Sequence, residues 1–297
     1  MCKNVKKFCP IFATLIFLFA FACAKKPAPS VPAAQGITAN YGVAAIGELA
    51  CDSPEWQRAV ETVVPLLPQD LTDPKQTVLT LAEIRVKALC DDTAVAFRIE
   101  WQDVTQDMVE EGSRFSDAVA VQLPPVAGGE VPDPTMGQAG LPVHIHVWKA
   151  SYERALDLGD WSLRQDFPNA TVDHYPSDAA SGEDKESLAR QYAVGLAAGN
   201  PMAAKRLSSV DDLWAEGFGS LQPLPVQASK GSAQWGNGRW AVVISRPLAL
   251  AEWPGGEGLQ KGQNTFAAFA VWDGSQNQAG SRKMRTAWVP LRLGGAL

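Results

Sequence analysis

What most constrains the fold of this chain is a series of short runs in which apolar residues alternate with polar ones or crowd together, with turn residues rather than helices between them. Leu81–Cys90 and Ala94–Trp101 flank Asp91-Asp92-Thr93 and predict a hairpin. In the second run Val95, Phe97 and Ile99 alternate with Ala94, Ala96, Arg98 and Glu100, the period of two that turns one face of a strand toward a core. Ala118–Leu123, closed by Pro124-Pro125, extends the set, as do Val143–Lys149, Arg239–Ser245, Thr265–Trp272 and Ala287–Leu293. Helical spacing is confined to Pro54–Val63, Ser151–Leu158 and Glu183–Leu207. Parallel strands need long, usually helical crossovers, and these are scarce. The sequence therefore predicts a mainly β chain: an antiparallel two-sheet β-sandwich with a few short helices. The polar stretch from about 159 to 236 reads as a loop and helix insertion on that sandwich.

The first residues follow a different logic. Lys3, Lys6 and Lys7 precede an apolar run from Phe8 to Ala24, and Ala20 and Ala22 are small. That pattern is an export signal; the run is short for a spanning helix, which needs about 20 residues. Cys23 follows Ala22, as in a bacterial lipobox, so residues 1–22 are expected to leave and Cys23 to carry lipid, with more than one acyl chain for a stable anchor. Residues 23–40 read as a Pro/Ala-rich tether and 41–297 as the folded body, lipid-anchored on the periplasmic side of a bacterial membrane. Of five cysteines, only Cys51 and Cys90 then remain in the body, and an oxidising compartment permits a disulfide between them.

Charge excludes several classes of partner. Lys plus Arg number 26 against 32 for Asp plus Glu, a formal charge of −6. Removal of the leader takes lysines and no acid. No long basic run is present, which argues against nucleic acid. The chain has no CxxCH for covalent haem, no GxGxxG in a βαβ setting, no GxxxxGK[ST] and no GxSxG.

The remaining chemical candidates come from His, acidic pairs and Trp. His144 and His146 fall on one face of a strand, a spacing that can present two imidazoles to zinc or copper, though nothing supplies further ligands. His174 lies in a loop-like stretch. Glu110-Glu111 and Asp211-Asp212 read as solvated loop charges. Eight of the ten tryptophans, Trp56, Trp101, Trp148, Trp235, Trp240, Trp253, Trp272 and Trp288, lie at or near proposed strand ends. They suit core packing, a sugar-stacking platform or the walls of an apolar cofactor pocket.

Several segments, in order, carry a family resemblance: VKALCDDTAVAFRIEWQDVTQD (86–107), RFSDAVAVQLP (114–124), PTMGQAGLPVHIHVWKASYE (134–153), GNGRWAVVISRPL (236–248) and TFAAFAVWDGSQNQAGSRKMRTAWVPL (265–291). Together the set resembles the haem b-binding γ subunit of type II enzymes of the dimethyl sulfoxide reductase molybdoenzyme family, the group that includes ethylbenzene dehydrogenase, dimethylsulfide dehydrogenase, selenate reductase and chlorate reductase. Residues 155–233 carry no family pattern. The resemblance implies a sandwich holding one non-covalent haem b with a Met and a Lys on the iron. The family's Met precedes the WKA strand in a Met-Gly pair, here Met136-Gly137; its Lys follows the VWDG strand in a Gly-rich basic turn, here Lys283. Met284 is a second thioether next to that lysine, and His144 or His146 could stand in for one ligand.

The same resemblance implies electron transfer rather than catalysis by this chain, because two filled axial positions leave no open site. Partners would be an iron–sulfur β subunit, a molybdenum α subunit, and a c-type cytochrome or quinone-linked carrier. The alternatives read from the residues are an extracytoplasmic carbohydrate-binding sandwich, on the strength of the tryptophans, and a metal protein built on His144 and His146.

Overall fold

The computed structural model describes residues 36–41, 45–159, 167–171, 176, 179–249 and 258–295, all within the compact unit Ala33–Leu297. The leader, Cys23, His174 and Trp253 lie outside the described residues.

Fourteen strands follow in chain order: β1 (Ile37–Tyr41), β2 (Thr62–Pro65), β3 (Leu67–Pro68), β4 (Glu83–Cys90), β5 (Ala94–Gln102), β6 (Ala118–Leu123), β7 (Val143–Lys149), β8 (Val210–Ala215), β9 (Gln222–Pro223), β10 (Lys230–Gly236), β11 (Arg239–Pro247), β12 (Asn264–Trp272), β13 (Met284–Arg285) and β14 (Val289–Gly295). Helices α1 (Ala150–Leu158), α2 (Gly182–Tyr192) and α3 (Val194–Ala197) lie between β7 and β8. The β4–β5 hairpin forms as its sequence predicts. The Asp91 carboxylate accepts from the amides of Thr93 at 2.7 Å and Ala94 at 2.8 Å, an Asx turn that fixes the register.

Hydrogen bonding runs in the order β10-β11-β5-β4-β1-β14-β12-β6-β7-β8-β9. The ribbon folds over at β12. Its first half, Asn264–Ala267, pairs with β14, and its second half, from Ala268 to Trp272, pairs with β6. The two layers so formed close on one apolar core. Phe97 on β5 meets Phe269 on β12 edge to face at 6.1 Å, and Trp148 on β7 meets Trp240 on β11 at 5.1 Å. Trp101 and Trp240, opposite each other in the β5–β11 register, stack at 6.2 Å. These rings are buried, so their area and edge-to-face contacts hold the layers together.

The chain is mainly β, as expected, with three differences in detail. Pairing is antiparallel except at β1, which lies parallel to both β14 and β4. That strand also falls inside the stretch expected to be tether; Ile37 and Ala39 are core residues, so the folded body reaches back to them. The stretch expected as an insertion supplies β8, β9 and β10, which extend the ribbon at its two ends, so only its earlier part, with α2 and α3, stands apart from the strands.

The disulfide that the sequence permits is not formed. Cys51 and Cys90 are both free and buried. They occupy different apolar clusters, and each thiol donates to main-chain oxygens of its own: Cys51 to Ser232 at 2.8 Å and Ala241 at 3.1 Å, Cys90 to Ala39 at 3.4 Å. Burial pushes the Cys51 thiol up to about 11, so it stays protonated and unreactive.

Candidate functional site

Successive side chains of a strand point to opposite faces, and in β6, β7, β8 and β12 the two faces differ. Val119, Val121 and Leu123 of β6, with Trp148 of β7 and Val271 of β12, enter the core between the layers. The other face carries Ala118, Ala120, Ala268 and Ala270, with Ile145 and Val147 beside them. These side chains form the floor of a cavity of about 490 Å³, within the range of pockets that take cofactor-sized ligands. Alanine is too small to fill the space above the strands. The loops around it form walls instead of a plug.

One wall is the turn before β7. Met136 sits at φ +79° and Gly137 at φ +72°. Gly137 has no alternative: a Cβ there would come within 2.7 Å of the Leu141 carbonyl oxygen and 3.0 Å of that of Ala215. Met136 is not a residue that favours the left-handed region, and its backbone costs about 1–2 kcal/mol to hold there. The turn is pinned from several sides. The amide of Gly137 donates to Asp133 at 2.9 Å, that of Gly217 donates to Met136 at 2.7 Å, and the Asp133 side chain accepts from the amide and hydroxyl of Thr135. Gln122 of β6 donates to the Pro134 carbonyl at 2.9 Å, and Trp288 donates to Pro132 at 2.7 Å. So anchored, Met136 lines the cavity and packs beside Ala120, Val143, Ile145 and Ala215.

The second wall is the turn between β12 and β13. The Gln69 amide donates to Ser281 at 2.8 Å, Ser281 to Pro74 at 2.8 Å, and Gln278 to Thr80 at 2.8 Å. Lys283, on this turn, lines the same cavity, with its ammonium 5.0 Å from the centre of the Trp272 ring. Burial, helped by the neighbouring Arg285 charge, pulls the Lys283 amine down to about 8. Among the described residues no carboxylate pairs with this amine, and burial makes its proton easier to lose than that of an exposed lysine. Met284 points the other way and belongs to the core.

The polar rim contains matched charges. Lys149 bridges to Glu110 at 2.8 Å, and Arg206 to Asp211 at 2.6 Å while lying 3.5 Å over the Tyr152 ring.

His144 and His146 do not reach this site. They share the inner face of β7 with Trp148 and are fully buried. His146 Nδ1 lies 2.6 Å from an Asp212 oxygen, with the Ser229 hydroxyl 3.1 Å from the same nitrogen. Burial holds the imidazole below its usual range. Asp212, whose burial alone would raise it, is kept low by His146 and by Ser229. Asp, His and Ser thus meet in the core, closed to substrate, as a structural network. Asp211 and Asp212 are therefore not solvated loop charges: both lie on β8, buried, Asp211 paired with Arg206 and Asp212 hydrogen-bonded to His146 and to the amides of Ala228 and Ser229. Glu110 and Glu111 do lie toward the surface, each paired with a cation.

Sequence reading missed a further acidic group. Asp103, Asp117 and Asp273 bring oxygens within 4.8 Å of one another. Burial pushes Asp117 up to about 7, against the hydrogen bond from the Gly274 amide, and Asp103 up to about 6. The Trp240 indole and the amides of Asp107 and Gly274 donate to Asp117 at 2.8–2.9 Å. These positions are far apart in the chain, and no local spacing marks them.

Comparison with known proteins places the chain. The family model described as ethylbenzene dehydrogenase matches residues 53–284. The chain is 23% identical over 253 residues to a protein of Haloferax mediterranei named as a respiratory nitrate reductase haem subunit, covering 83% of this chain and 71% of that one. It is 36% identical over 84 residues to the chlorate reductase γ subunit of Ideonella dechloratans, covering 28% of this chain and 34% of that one. Among solved structures it is similar to a family 9 carbohydrate-binding module from Caldicellulosiruptor kristjanssonii, in complex with glucose, at 12% identity and a TM-score of 0.40, covering 88% of this chain and 96% of that one.

Proposed function

The chain belongs to the ethylbenzene dehydrogenase family, and on that premise we propose that it is a haem-binding, electron-transferring subunit of a reductase complex of the kind its relatives are named for. The observation that carries this reading is the cavity on the outer face of β6, β7, β8 and β12, which Met136 and Lys283 line together although far apart in sequence. The donor set fits a haem. Met136 offers a soft thioether, which favours reduced iron and a raised potential. Lys283 offers an amine whose burial already lowers the cost of losing its proton. The alanine floor leaves room for a flat apolar ring. A haem b bound there supplies a one-electron couple, and with both axial positions taken the chain passes electrons without converting a substrate.

In the finer reading, Met136 and Lys283 are the axial ligands of a single haem b. The chain then relays electrons between the iron–sulfur and molybdenum subunits of a type II molybdoenzyme and a c-type cytochrome or quinone-linked carrier. The acidic balance of the chain, 32 Asp plus Glu against 26 Lys plus Arg before the lysines of the leader are lost, suits a salt-sensitive encounter with a basic carrier. Export by residues 1–22 and lipid on Cys23 would hold this exchange on the periplasmic side of a bacterial membrane.

A sugar-binding reading has less support. Trp101, Trp148 and Trp240 are packed in the core, and among the described tryptophans only Trp272 lines the cavity. Titration of the full chain with haemin tests the proposal. Wild type takes up one equivalent and gives the Soret band of a six-coordinate complex, and Met136→Ala and Lys283→Ala each change that spectrum. A folded wild type that binds no haemin, or variants with the wild-type spectrum, would overturn it.

A further inference from the structure

The charges around the cavity do not balance. Its two carboxylates are already matched, Glu110 by Lys149 at 2.8 Å and Asp211 by Arg206 at 2.6 Å. Lys283 and Arg285 remain as cations of the lining.

Arg285 is mostly buried, at 18% side-chain exposure, and its nearest acid is Asp70 at 3.7 Å, whose side chain is 61% exposed. That distance exceeds a charge-assisted hydrogen bond, which runs about 2.7–2.9 Å. The Arg285 Nε is buried with no hydrogen-bond partner, and so is the Nε of Arg282 on the same turn. Leaving such a donor unsatisfied is costly. The position is nevertheless rigid. Arg285 lies in β13, paired on one side with Ala270 of β12 and on the other with Leu67 of β3. With its backbone held between two strands and its side chain part of the cavity lining, the guanidinium is placed to meet a planar anion in the cavity.

We infer that Arg285 is the anion anchor of this cavity, a specificity residue that selects an occupant bearing a carboxylate. The inference rests on the haem reading only for its choice of probe: the propionates of a haem are the carboxylates concerned. Uncharged ligands of the same shape lose this contact.

Haemin and its dimethyl ester, which keeps the macrocycle and iron but has no carboxylate, separate the possibilities. Both are titrated by Soret absorbance into full-length wild type, Arg285→Gln and Arg285→Lys. Wild type is expected to prefer the free acid by about tenfold or more, Arg285→Gln to bind both alike, and Arg285→Lys to keep part of the preference. Equal affinity of wild type for acid and ester overturns the anchor while leaving the haem reading in place. So does an Arg285→Gln variant that keeps the full preference. Failure of folded wild type to bind either compound overturns the haem reading and the anchor with it. Should Arg285→Gln not fold, the wild-type preference and the Arg285→Lys ratio still decide the matter.

Discussion

The two faces of β6, β7, β8 and β12 are made by the same residues in alternation, yet one is a packed core and the other a cavity. On the inner face Val119, Val121, Leu123 and Trp148 are buried in the core formed with the opposite layer. On the outer face alanines stand at the equivalent positions, and the walls come from turns held by side-chain hydrogen bonds to backbone carbonyls. Stability and binding are thereby assigned to opposite sides of one set of strands. Side-chain volume makes the difference, since strand geometry is common to both.

The largest effects should break this division if it is wrong. Trp148→Ala on the inner face should cost about 3–5 kcal/mol, read as a fall in the denaturant midpoint. Ala270→Phe on the outer face should leave that midpoint nearly unchanged and abolish haemin uptake. A comparable loss of stability in both variants would mean that the outer face is core as well. Next comes pH. Burial pushes Asp117, just before β6, up to about 7 and Asp103 up to about 6, well above the ordinary range of an aspartate. The folded chain thus holds protons that the unfolded chain has released, so these two groups lower stability as pH rises from about 4 to 7. His146, held below its usual range, acts in the opposite sense up to about pH 6.5, so the effect is read as a difference: the stability of wild type relative to Asp117→Asn should fall by about 2 kcal/mol between pH 5 and 7. A difference that stays constant or grows over that window would contradict it.

Smaller effects sharpen the outer side. Gly137→Ala should destabilise by about 1–3 kcal/mol, since its φ of +72° is strained for alanine and its Cβ would collide with two carbonyl oxygens. The smallest is a difference between two truncations. Met136→Gly should be about 1 kcal/mol more stable than Met136→Ala, because both remove the thioether and only glycine relieves the backbone at φ +79°. Equal midpoints would show that the turn moves to accommodate either residue.

Much of the strand framework was legible because alternation is a local property. Ala118–Leu123 and Val143–Lys149 coincide with the strands observed, and the hairpin turn lies where Asp91-Asp92-Thr93 predicts it. The same alternation put His144 and His146 on one face, but a strand alone does not say which face will be covered. β8 escaped notice because VDDLWA carries two adjacent acids, whose burial depends on Arg206, on His146 and on amides of residues 228 and 229. β1 escaped because five residues after a proline-rich stretch have too little pattern to mark a strand, and its partners are strands distant in sequence. Met136 and Lys283 came from family resemblance. Their presence on one cavity wall system, and the φ of Met136, are properties of the folded turn.

The position of β1 has a consequence for how the chain is made. It lies between β4 and β14, and β14 is the last strand of the sequence. A nascent chain emerging from the ribosome can assemble the hairpin of β4 and β5 early, but β1 acquires its second neighbour only after residues 289–295 have cleared the exit tunnel. The ribbon therefore closes late: every other described strand has been synthesised before β1 can gain its second neighbour.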